Sequence, residues 1–166
     1  MKKSILFLFA AVILFSSWIS VPRALAMPSE SSISVNCQTA QSVLNQLEKS
    51  DAVLRVNRGR SYNNTLDLLL AMNARLANNR LSAPWLVELT SEFNVRLSVF
   101  RGNYDHYDDK LNNLIKFNCS DNPFGFYEKL NEVREARAQL ADDISRLDKI
   151  IAEYSNELKH VTKGAI

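Results

Sequence analysis

Two long stretches of this sequence repeat their apolar residues every seven positions, and few folds accept a chain so patterned. Leu86, Phe93, Phe100, Tyr107 and Leu114 form one series, with Thr90, Leu97, Tyr104, Leu111 and Asn118 interleaved. Farther on, Phe126, Val133, Leu140, Leu147, Tyr154 and Val161 alternate with Leu130, Arg137, Ile144, Ile151 and Leu158; Arg137 alone breaks that run. Sustained heptads put one apolar stripe on each helix and pack helices side by side at small crossing angles. No alternation of the β type occurs anywhere.

Punctuation residues divide the chain. Asn36 is an N-cap candidate, followed by Cys37, Ala40, Leu44 and Leu47 at helical spacing. Ser50-Asp51 offers a fresh cap or a kink, so this first helix is expected to be short. A second runs from about Ala52 to Ala77, with Tyr62, Leu66, Leu69, Asn73 and Leu76 recurring at helical spacing, and ends at Asn78-Asn79. Ser82-Ala83-Pro84 supplies a cap and an early proline for a third helix reaching Phe117. At 1.5 Å per residue it would be ~50 Å long. Residues 118–122 make a turn, and Pro123 fits the first position of a fourth helix. Short connections force antiparallel neighbours. The expectation is an all-α fold: an elongated antiparallel bundle of three long helices with a short N-terminal helix, coiled-coil-like in packing. It occupies residues 36–161 and is followed by a tail over 162–166. Trp85 is expected to cap one end.

The N-terminus reads as an export signal over residues 1–26. Lys2 and Lys3 precede an apolar run from Ile5 to Ile19, Pro22 breaks it, and Ala24-Leu25-Ala26 forms a cleavage site. The residue directly after the cut is Met27 and not a cysteine, which excludes a lipoprotein anchor, and no membrane span is expected after cleavage. The expected location is secreted or periplasmic. Ser-rich residues 27–35 are expected to form a flexible leader. The whole sequence carries 20 basic and 18 acidic residues; losing Lys2, Lys3 and Arg23 takes the basic count to 17. The remaining charge is slightly acidic, so nucleic-acid binding has no electrostatic support.

Only Cys37 and Cys119 are available for a disulfide, and an exported protein with two cysteines most often joins them. The hairpin geometry agrees. Folding the chain back near residue 82 carries both cysteines to one end, with a mismatch of about eight residues, or ~12 Å. A kink near Ser50 would absorb it.

One polar layer stands out. Gly59 and Gly102 lie inside expected helices and face one another in the hairpin register. Arg55, Arg58, Arg60 and Tyr62 surround the first; Tyr104, Asp105, His106, Tyr107, Asp108 and Asp109 follow the second; Arg134 and Arg137 come to the same height. One reading is a pocket in which glycines make room, arginines bind a carboxylate or phosphate and tyrosines stack or donate. The other is structural: the glycines let helices approach, and Arg55–Asp108 and Arg58–Asp105 pair to fix register. The structural reading is preferred, because buried polar groups usually satisfy one another and a narrow bundle leaves little room.

No catalytic motif is present. His106 and His160 are far apart, no Glu-x-x-His or H-E-x-x-H suggests a metal, and no nucleotide-binding loop suggests a cofactor. Asp108-Asp109 and Asp142-Asp143 read as solvated faces.

The segments Arg55-Val56-Asn57-Arg58-Gly59-Arg60-Ser61-Tyr62 and Ala71-Met72-Asn73-Ala74-Arg75-Leu76 carry a resemblance. With them go the Tyr104/Tyr107 pair and Cys119 followed by Pro123 and Phe126-Tyr127. Together they resemble uncharacterised secreted helical-bundle proteins of candidate-phylum bacteria such as Saccharibacteria. The resemblance spans most of Cys37 to Leu158 and implies export, a helical fold and the cysteine pairing, but no activity. The expected function is a non-enzymatic structural or interaction module, with a protein partner or self-association. The alternatives are a small-anion-binding protein or enzyme using the Arg/Tyr/Asp layer, and a chaperone-like protein with an exposed apolar concave face.

Overall fold

The computed structural model describes residues 28–163, and these form four helices and no strand. They are α1 (Glu30–Val35), α2 (Cys37–Asn78), α3 (Pro84–Ile115) and α4 (Pro123–Lys163). The expected export signal and the last three residues of the expected tail lie outside the described residues. At 1.5 Å per residue, the 42 residues of α2 span about 63 Å. The long helices run antiparallel from one to the next, as their short connections require, with α3 packed against both others.

Residues 27–35, expected as a leader, contain α1 instead. Ser29 caps it by accepting from the Ser32 N–H, and Ile33 is buried against the core. One apolar side chain and one cap suffice to dock a single turn beside the cysteines. The expected break at Ser50-Asp51 does not occur, and α2 is continuous through it. The Ser50 hydroxyl donates back to the Leu47 carbonyl at 2.9 Å instead of capping a new helix, and Asp51 turns into the bundle.

The hairpin between α2 and α3 closes with a left-handed residue. Arg80 has φ 59°, its N–H reaches the Ala77 carbonyl, and the Leu81 N–H reaches the Leu76 carbonyl. This Schellman pattern satisfies two of the carbonyls that a helix end leaves open. Pro84 starts α3 as expected. Ala83 occupies the cap position, however, so no side chain caps the helix. Trp85, expected to cover the end of the bundle, is half exposed.

The cysteines meet as expected. Cys37 and Cys119 are paired at disulfide distance, their Cα atoms 5.8 Å apart, and both are buried. No kink is needed to bring them together, because α2 meets the turn after α3 directly.

The α3 heptads are buried along their whole length, from Leu86 to Leu114. Along α4, Phe126, Val133, Leu140, Leu147 and Tyr154 are buried as expected. The interleaved series shifts by one residue: Ala136, Asp143 and Ile150 are buried, while Ile144 and Ile151 are only partly so. Helix α2 behaves differently. Cys37, Leu44 and Asp51 are buried seven apart, and so are Tyr62, Leu69 and Leu76, but eleven residues separate Asp51 from Tyr62. Eleven residues are about three turns, so Asp51 and Tyr62 share a face, and the positions between them on that face are held by Arg55 and Arg58, both exposed. From Ala52 to Ser61, nearly three turns, α2 buries no side chain.

Polar contacts set the register along the bundle. Near the hairpin, Asn73 of α2 donates to Thr90 of α3 at 2.8 Å and accepts from Tyr154 of α4 at 2.8 Å. In the middle, Tyr62 donates to Asp148 at 3.1 Å and packs edge-on against Phe93 and Phe100. Asn103 donates to buried Asp143 at 2.7 Å, tying α3 to α4.

Candidate functional site

Where α2 buries nothing, a cleft of about 540 Å³ opens between α2 and α4. That size is ordinary for a small-molecule site. Its floor is α3, through Phe100, Tyr104 and Tyr107. Asp51, Leu54, Arg55 and Arg58 form the α2 wall. Arg134, Arg137, Ala138, Leu140, Ala141 and Ile144 form the α4 wall. Four arginines therefore meet a single carboxylate in the lining.

Asp51 is that carboxylate. It is 7% exposed and accepts a hydrogen bond of 2.6 Å from the Tyr107 hydroxyl, with Nε of Arg137 at 3.5 Å. Burial, and then the hydrogen bond to Asp51, push the Tyr107 phenol well above its ordinary range. Tyr104 lies one turn earlier on α3 and is 7% exposed. The Arg55 guanidinium stands 5.0 Å above its ring, within cation–π reach. Burial, with Asp51 and Asp108 nearby, pushes the Tyr104 hydroxyl up to about 12. That hydroxyl is the one buried side-chain polar atom among the described residues without a hydrogen-bond partner.

The ion pairs differ from those expected. Arg55 pairs with Asp105 at 3.1 Å, not with Asp108, and both partners are well exposed. Neither Arg58–Asp105 nor Arg55–Asp108 forms. One helical turn separates Asp105 from Asp108, and the Arg55 side chain, lying over the Tyr104 ring, reaches the nearer of the two. Arg58 lies beside the Tyr62 phenol and makes no ion pair among the described residues. Arg134 donates only to Asn131 on its own helix, at 3.1 Å.

The glycines do not draw helices together. A Cβ added at Gly59 or at Gly102 would meet nothing within 4 Å. Gly59 instead lines a shallow depression of about 270 Å³ on the other side of Arg55, shared with Phe100 and Tyr104. Gly102 is exposed and lines neither space. Tyr62 also lies outside the cleft, in the aromatic layer next to it.

Of the residues singled out in sequence, Arg55, Arg58, Tyr104, Tyr107, Arg134 and Arg137 come together in the cleft. Ser50-Asp51 has the chemistry of a cap or a kink, yet the seven-residue spacing of Asp51 from Leu44 and Cys37 marks it as inward-facing. Among the described residues no cluster of three His, Cys, Asp or Glu could hold a metal ion. No helix there is long and apolar enough to cross a membrane. Comparison with protein-family models, with curated proteins and with solved structures finds no match.

Proposed function

We propose that this chain is an exported, non-enzymatic binding protein whose α2–α4 cleft holds a small anion. The observation that carries the reading is that Arg58 and Arg134 line the cleft without a carboxylate partner. Guanidinium groups are suited to carboxylate and phosphate through paired, parallel N–H donors. Of the other two arginines, Arg55 is half committed to Asp105, and Arg137 touches Asp51 only at 3.5 Å. Closed Arg–Asp pairs in filled space would have favoured a purely structural layer.

Calorimetric titration with small carboxylates and phosphates tests it. Arg58→Ala and Arg134→Ala are expected to keep the melting temperature within a few degrees, since neither makes an ion pair, and to weaken binding. Loss of the fold in both variants, with no anion bound by the parent, would return these residues to a structural role.

Export is supported by the charged, apolar and A-x-A pattern of residues 1–26 and by cysteines at disulfide distance. The protein is expected outside the cytoplasm with Met27 as its first residue; an intact N-terminus on protein retained inside would remove this part.

A second reading, as a module for a protein partner or a second copy, is favoured by Val53, Val56, Leu68 and Leu70, all exposed on α2. Light scattering across a concentration series tests self-association, and a monomer throughout would count against it.

A further inference from the structure

The same cleft points to the kind of anion, and this step rests on the anion-binding reading above. We infer that the occupant is an amphiphile: one carboxylate or phosphate head on an unbranched or aromatic apolar body. Between the arginines of the two walls lie Leu54, Phe100, Ala138, Leu140, Ala141 and Ile144. Leu54 is half exposed, and Ala138 and Ala141 are open to solvent, so apolar surface here is left uncovered. A bare inorganic anion would satisfy the arginines and leave that surface wet. A neutral hydrocarbon would cover it and leave Arg58 and Arg134 unmatched. Only a ligand with both parts uses the whole lining. The pattern of α2 explains how such a site arises: Arg55 and Arg58 stand where its buried face would carry apolar side chains, and the ten residues from Ala52 to Ser61 bury nothing, which leaves Ala138 and Ala141 of α4 open and Ile144 only partly covered. The hydroxyl of Tyr104, a residue of the cleft floor, is a second, independent sign of an incomplete site, because a buried hydroxyl without a partner is costly.

Calorimetric titration of the full chain with decanoate, acetate, inorganic phosphate and decanol tests the assignment. Decanoate is expected to bind one per chain and at least tenfold more tightly than the other three. Arg58→Ala or Arg134→Ala is expected to weaken decanoate at least tenfold. Ala141→Trp, at an exposed position, is expected to abolish decanoate binding with the melting temperature nearly unchanged. Acetate or phosphate binding as tightly as decanoate would overturn the amphiphile while sparing the anion reading. Decanol matching decanoate, or no binding by any of the four, would overturn both. Decanoate binding that survives Ala141→Trp and both arginine variants would overturn the cleft as its location. A concentration-dependent dimer abolished by the arginine variants, with no decanoate bound, would assign the cleft to a second copy instead.

Discussion

Tyr107 gives its phenolic hydrogen to Asp51 across 2.6 Å, joining α3 to the last residue that α2 buries before its uncovered stretch. Both side chains are out of water, so each depends on the other. Asp51→Ala should leave the Tyr107 hydroxyl buried and unpaired, costing about 1–3 kcal/mol. Asp51→Leu with Tyr107→Phe removes both polar groups and continues the series from Cys37 and Leu44, so it should be near neutral or stabilising. Urea denaturation of the two proteins checks the contrast; equal losses would mean that the pair acts through something other than mutual satisfaction.

Alkaline pH should weaken the fold. Tyr62, Tyr104, Tyr107 and Tyr154 all titrate above their ordinary value of 10.0, chiefly because burial disfavours the phenolate. A folded-state value raised above the unfolded one gives stability that is complete below pH 10. It is lost as the pH climbs toward the folded value, which for Tyr104 is about 12. Melting temperature should therefore fall between about pH 10 and 12. Phenolate absorbance should lag behind that of the unfolded chain over the same range. A titration coincident with that of unfolded protein would refute the burial of these hydroxyls.

Gly59→Ala should stabilise. The new methyl would meet nothing within 4 Å, and alanine is favoured over glycine in a helix interior by about 1 kcal/mol. A single thermal melt decides it, and a loss would show contact across the depression that Gly59 lines.

Removing the cysteine pair should be costly. Cys37 and Cys119 are 82 residues apart in sequence, and closing a loop of that length contributes about 4 kcal/mol in the chain-entropy view. Cys37→Ser with Cys119→Ser should lower the urea midpoint accordingly, and thiol mapping of the parent should find no free cysteine. Two free thiols would remove the bond and its contribution.

Helices α3 and α4 were legible because their heptads run almost unbroken, and burial follows the pattern from Leu86 to Leu114. The middle of α2, and the side chain of α4 that faces it, were not, for three physical reasons. Ser50-Asp51 has the chemistry of a helix cap, and only the spacing of Asp51 from Leu44 and Cys37 shows that the carboxylate points inward. An interior glycine suggests close packing, whereas Gly59 borders open space. Arg137 read as a break in a core series, but burial on α4 moves one residue to Ala136, which leaves Arg137 facing α2 and Asp51. The arginines of the layer were legible as a group. Their pairing was not, because a side chain of that length can choose between carboxylates one turn apart, as Arg55 does with Asp105.

Helix α2 is secured at both extremities, by the Cys37–Cys119 pair at one and by the Arg80 turn at the other. Between them, the stretch from Ala52 to Ser61 rests on nothing buried of its own. In mechanical terms that stretch is a beam supported at Asp51 and Tyr62, the buried residues on either side of it, and unloaded by burial at mid-span. Such a beam bows before it detaches, so the gap over Tyr104 should widen or narrow through gentle curvature of α2, without a hinge and without loosening either end.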